Sequence, residues 1–247
     1  MTGTMPPKLT GLAMCAVLLV SCSPDKSPEP QDKNQTTVRW VLDPAVDLMS
    51  PESTFVRAAT ESFAAAWTGQ GRSGLDALTN SGYPGFEHAF NNIGKVDQFG
   101  GPGRNDYLRV GTMYTSIIGL TRQEDRYVAE ICTDSRHTAS QRGDGKYVMN
   151  YLADSVGALT VTFGPDPKLP AEEQHAPLAR QKGPAARPVD NVFGTWVLFD
   201  YRAVQPANPK CNSFAPDTPA ENPETSLRID PPPTLPPDPG WPEGSSA

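Results

Sequence analysis

The chain has 247 residues and a net charge of −7, from 21 basic and 28 acidic side chains. That sign, with no Lys/Arg cluster able to neutralise a phosphate backbone, excludes nucleic acid as the expected partner. The 27 prolines crowd three regions, after Cys22, from Pro165 to Pro188 and from Pro206 onward, which leaves one ordinary domain between irregular flanks.

Lys8 precedes an apolar run, Leu9–Val20, of about a dozen residues. This fits a secretory core and falls well short of the ~20 apolar residues that a spanning helix needs. Leu19-Val20-Ser21-Cys22 then resembles the bacterial lipobox, in which a small residue precedes a cysteine that takes lipid and becomes the new N-terminus. The resemblance implies a lipoprotein signal peptide over residues 1–21, acyl chains such as palmitate on Cys22, and a protein anchored on the extracytoplasmic face of the cell membrane. Residues 22–49, rich in Ser, Pro, Asp and Lys, read as a flexible tether. Within it, Val38–Leu42 is β-prone and suited to a domain edge.

Cys15 lies in the apolar run and Cys22 takes lipid, so Cys132 and Cys211 remain for the folded body. Two thiols in an oxidising compartment are expected to pair. A zinc site would need more ligands than these cysteines and three histidines without CxxC spacing offer. A catalytic thiol would need a positive cluster to lower its pKa.

The globular domain is expected over residues 50–211. Ser50 can cap a helix, Pro51 suits its first position, and Phe55, Ala59, Phe63 and Trp67 recur every four residues. Further helical pieces are expected near Leu75–Leu78 and from Pro84, where Phe86, Ala89, Phe90 and Ile93 share a side, before a turn-rich loop over Gly94–Arg104. The period then changes to that of strands at Tyr107–Leu120, Tyr127–Cys132, Tyr147–Tyr151, Ala158–Phe163 and Val192–Val204. Residues 165–188 are expected to form an exposed loop insertion. Residues 212–247, including PPPTLPPDP, read as a disordered or polyproline-II tail.

Helices followed by strands, with the first helix long and amphipathic, resemble the nuclear-transport-factor-2-like (SnoaL-like) superfamily. The segment Ile131-Cys132-Thr133-Asp134-Ser135, a late strand containing Trp196, and Cys211 resemble exported actinobacterial, mycobacterial-type lipoproteins of that kind. The resemblance implies an α+β cone, with N-terminal helices packed on a curved antiparallel sheet and a cavity between them. In enzymes of the family an Asp/His pair or a Tyr in that cavity does acid–base work.

The candidate chemistry is thin. Asp134 and His137 are the nearest approach to an acid–base pair, but a three-residue offset at a strand end turns them to different sides and towards water. His88 is expected to face solvent from its helix, and His175 has no evident partner. Trp67, Tyr83, Tyr114 and Trp196 would line a pocket, or serve as ordinary core. Arg142-Gly143-Asp144 reads as a hairpin turn rather than an adhesion motif, and Gly100–Arg104 lacks the Lys-Ser/Thr of a phosphate loop. No metal or cofactor is expected. These residues read best as a non-enzymatic binding module for an envelope protein partner or a small apolar ligand. The alternatives are a SnoaL-like enzyme acting on a hydrophobic envelope-derived molecule, and a phage- or plasmid-type surface exclusion lipoprotein.

Overall fold

The computed structural model describes residues 1–3, 34–67, 83–93, 108–149, 155–205, 208–216 and 227–244. The chain divides into two units, Met1–Gln31 and Asp32–Ala247, and the second holds all the secondary structure described. The apolar run, Cys22, the Leu75–Leu78 piece and the Gly94–Arg104 loop lie outside the described residues.

The fold is α+β, with a mostly antiparallel eight-stranded sheet among the described residues. In chain order its strands are β1 (Asn34–Trp40), β2 (Arg109–Gln123), β3 (Arg126–Asp134), β4 (Thr138–Gln141), β5 (Tyr147–Met149), β6 (Val156–Pro165), β7 (Trp196–Ala203) and β8 (Leu227–Arg228). Among the described residues the α-helices are α1 (Pro51–Trp67) and a single turn, α2 (Phe86–Ala89).

β2 organises the sheet. Along one edge it takes β1 in parallel, from Asn34 opposite Arg109 to Trp40 opposite Thr115. Along the other it pairs with β4 at residues 109–111 and with β3 at residues 114–123, so β3 and β4 lie end to end. β6 and β7 then continue the sheet on the β3 side, and β5 and β8 on the β4 side. Register shifts at Ile117/Gly119 and Thr162/Phe163 bend these rows, as an extra residue in one strand does.

α1 begins as its sequence dictates. The Ser50 hydroxyl accepts the Ser53 amide at 3.1 Å, the Ser50 carbonyl accepts the Thr54 amide at 3.0 Å, and Pro51 opens the first turn. Ser50→Ala is expected to lower stability by about 1 kcal/mol in chemical denaturation, whereas Ser50→Asp retains the cap.

Alternation along the strands gives the sheet two covered faces. Beneath α1 lie Trp40, Ile117, Ile131, Val161, Phe163 and Leu198, in one cluster with Phe55, Phe90 and Phe193. Phe55 stacks on Phe163 at 4.8 Å and meets Phe193 edge-on at 5.5 Å, so aromatic rings fill this interior. On the reverse face Ile118, Cys132 and Ala158 pack with Cys211, and Val110, Ala139 and Met149 form a smaller group. The disulfide Cys132–Cys211, with its Cα atoms 5.1 Å apart, ties the turn Pro209–Asn212 to that face.

The folded unit extends beyond residues 50–211 at both ends. Part of the expected tether, residues 34–49, contributes β1 and the buried Trp40 and Leu48. The expected disordered tail is corrected over residues 227–244. Its β8 pairs with β5, and residues 232–241 form a strap around the outer edge of β1. On the reverse face Leu235 N donates to Thr112 Oγ1 at 2.9 Å, and Thr37 Oγ1 donates to Leu235 O at 2.6 Å. At the edge Trp40 N donates to Asp238 O at 2.7 Å. On the helix side Trp241 exchanges both backbone bonds with Ala185 and is 1% exposed. The strap thus closes an edge that would otherwise present free amides and carbonyls. Gly240 is required in this course, because a Cβ there would stand 2.4 Å from Gly183 O. The insertion after Pro165 is irregular as expected, but it packs inward, with Arg180 N donating to Met49 O and Ala185 pairing with Trp241.

Candidate functional site

Two of the buried charges of the described fold, Arg57 and Glu61, lie together on α1. Ala58, Ala59, Ala65 and Ala66 let neighbouring elements approach this helix closely, and every residue from 53 to 62 is buried. Arg57 and Glu61, four residues apart, therefore share an interior face.

Glu61 is the acceptor at the centre. Trp40 Nε1 donates to its Oε1 at 2.7 Å; Trp241 Nε1 and the Tyr83 hydroxyl donate to its Oε2 at 2.7 and 2.8 Å. Arg57 Nη1 donates to Gln181 O at 2.7 Å, its Nη2 to Pro239 O and Gly240 O at 2.8 and 3.0 Å, and its guanidinium lies 4.4 Å from the Trp241 ring centre. Burial holds the Glu61 carboxyl above its ordinary range, against the opposing pull of Arg57 and the three donors. Burial likewise lowers Arg57, with Glu61 opposing, and burial together with Glu61 pushes the Tyr83 phenol well up. Each of these polar partners is a side chain or carbonyl of the protein itself. The arrangement is a clamp joining β1, α1, the segment before α2, the insertion and the strap.

The expected aromatic pocket does not form as one site. Tyr83 belongs to the clamp. Trp196 stacks on Tyr127 at 5.2 Å in the core under α1. Tyr114 lies on the reverse face, edge-on to His137 at 5.1 Å, because strand alternation turns it away from its neighbour Thr115. Trp67 ends α1, and its side chain lies outside the described residues.

The acid–base candidates also change. Asp134, expected at the surface, is fully buried, and Arg136 takes both its oxygens, with Nη2 2.6 Å from Oδ2. The structure gives this carboxylate to Arg136 and sets His137 against Tyr114. His88, expected in solvent, is half-buried, its Nε2 3.0 Å from Thr195 O and 3.4 Å from the buried Asp166 carboxylate. Two acceptors fix the hydrogen on that nitrogen, and the contact fastens α2 to the base of the insertion. His175 N donates to Thr195 Oγ1 at 2.8 Å, and its carbonyl accepts from Thr195 N at 2.9 Å. Arg142–Lys146 is a hairpin turn with Gly145 at φ 81°.

Sequence reasoning passed over Arg57, Glu61, Trp40 and Trp241. The sequence carried no distinguishing signal, because two charges four apart on an otherwise apolar helix read equally as an exposed pair on its wet face.

An open groove of about 310 Å³ runs along the reverse face beside the disulfide, lined by Ile118, Glu130, Ala158, Thr160, Val204 and Pro209 among others. Its lining is mainly apolar, with Glu130 as the charged member. Among the described residues no three His, Cys, Asp or Glu side chains gather as a metal site, and no helix is long and apolar enough to cross a membrane. Comparison of the chain with protein-family models, with curated proteins and with solved structures returns no match in any of the three.

Proposed function

We propose that this chain is an exported lipoprotein, anchored through Cys22 on the outer face of a cell membrane, whose globular part is a non-enzymatic binding module. One observation carries the second half of that reading. The space between α1 and the sheet, where a nuclear-transport-factor-2-like enzyme would hold its substrate, is occupied by stacked aromatic rings and a clamp of hydrogen-bonded polar groups. A helix laid over a bent antiparallel sheet supports a cone of that superfamily; the parallel β1 and the strap are departures from it. The lipobox-like Leu19–Cys22 and the buried disulfide support an oxidising, extracytoplasmic address. The groove beside the disulfide suits a small apolar ligand, because its walls are largely hydrocarbon.

The test has two arms. Metabolic labelling with radioactive palmitate is expected to mark the parent chain and to leave Cys22→Ala unmarked and released from the membrane fraction; an unmarked parent refutes the anchor. A fluorescent acyl probe is expected to bind the soluble folded part saturably, and Thr160→Trp, which fills the groove from its rim, is expected to abolish that binding without changing the unfolding midpoint. Equal binding by parent and variant refutes the groove.

A further inference from the structure

The contacts of the strap are those of a peptide in a receptor. Residues 231–241 read PPPTLPPDPGW, a sequence poor in backbone donors and biased to an extended, pre-set backbone. The body answers with donors aimed at its carbonyls. Thr112 Oγ1 reaches Pro233 O at 3.2 Å, Thr37 Oγ1 reaches Leu235 O, Arg39 Nη1 reaches Pro236 O at 2.7 Å, and Arg57 Nη2 reaches both Pro239 O and Gly240 O. Burial is confined to the two ends. Pro232 is buried, residues 233–236 are exposed, and Pro239, Gly240 and Trp241 are buried again. At the far end the indole enters a chamber in which Glu61 accepts its N–H and Arg57 covers its ring.

Apolar core contact alone explains neither this donor pattern nor the exposed middle. Donors along a proline-rich backbone, with one aromatic anchor in a deep pocket, are how proteins read such segments. Gly240 adds selectivity, since only a residue without Cβ passes between Gly183 O and Ala185 O. We infer that the body carries a binding site for proline-rich peptides that carry a Gly-Trp anchor, which its own strap occupies in cis and which takes the same segment in trans. The site is separate from the groove beside the disulfide and does not depend on the lipid anchor, so its failure leaves the proposed function standing.

The test uses the full chain with a protease recognition sequence placed between residues 217 and 226 and cleaved after folding. A fluorescent peptide spanning Asp230–Gly244 is then added. The expected result is saturable uptake by the nicked protein and displacement by unlabelled peptide, with the Trp241→Ala peptide competing about a hundredfold more weakly. A body that unfolds as the strap leaves marks the strap as ordinary core and overturns the proposal. The second arm uses uncut full-length Trp241→Ala, whose strap has lost its anchor. It is expected to stay folded and to bind the labelled wild-type peptide directly. If it unfolds, or stays folded and refuses the peptide, the proposal is overturned.

Discussion

Glu61→Ala is expected to lower stability by about 4 kcal/mol at neutral pH, the scale for leaving a buried charge and several buried donors uncompensated. The substitution leaves Arg57 without its counter-charge and strips three donors, from Trp40, Tyr83 and Trp241, of their acceptor. Urea denaturation monitored by tryptophan fluorescence measures it directly, because two of those donors are indoles. Replacing both charges, as Arg57→Met with Glu61→Leu, is expected to cost less than the two single changes together. The same carboxylate sets a pH dependence. Its folded-state pKa lies above the ordinary 4.5, because burial outweighs Arg57 and the donors. Between 4.5 and that raised value the folded state binds more protons than the unfolded chain, so stability falls as pH rises through the interval. Glu61→Gln is expected to flatten this part of the stability profile. An unchanged slope would show that the carboxylate titrates alike in both states.

Loss of the disulfide is expected to have an effect of similar size. Cys132 and Cys211 are 79 residues apart, and closing such a loop restricts the unfolded chain by about 4.5 kcal/mol in the chain-entropy account. Cys132→Ser with Cys211→Ser is therefore expected to lower the unfolding free energy by up to that amount, and to lower the midpoint of the parent only when the parent is not reduced. Both cysteines are fully buried, so the native parent is expected to show no alkylatable thiol at these positions without reductant. Labelling there in the unreduced native protein would contradict the bond.

What the sequence made legible was local. α1 could be read from its four-residue period and its Ser50 cap, because both signals reside within a few turns. β3, β6 and β7 were legible from β-branched and aromatic runs, and the Cys132–Cys211 pair from elimination among four cysteines. β4 was missed because Thr138–Gln141 is short and polar, and its strand character comes from β2 and β5 on either side. The strap was missed for a related reason. A proline-rich segment has no period of its own, and its order comes from Thr37, Arg39, Arg57 and Thr112, which lie more than a hundred residues away. The pocket expectation failed at Tyr114 by a single step of strand alternation. Glu61 was passed over because charge in a helix is usually read as the wet face.

The separation of 180 positions between Glu61 and Trp241 sets the order of events during synthesis. A ribosome delivers β1 and α1 early, with Arg57 and Glu61 already in place but lacking their last aromatic neighbour. The body can form its β2–β3 hairpin and the rows outside it as they emerge, yet Arg57 Nη2 and Glu61 gain the last of their partners only once residues 239–241 arrive. The clamp is therefore completed late in synthesis, by residues 239–241. Until residues 239–241 arrive, Arg57 and Glu61 face open water on that side and the outer edge of β1 stands uncovered.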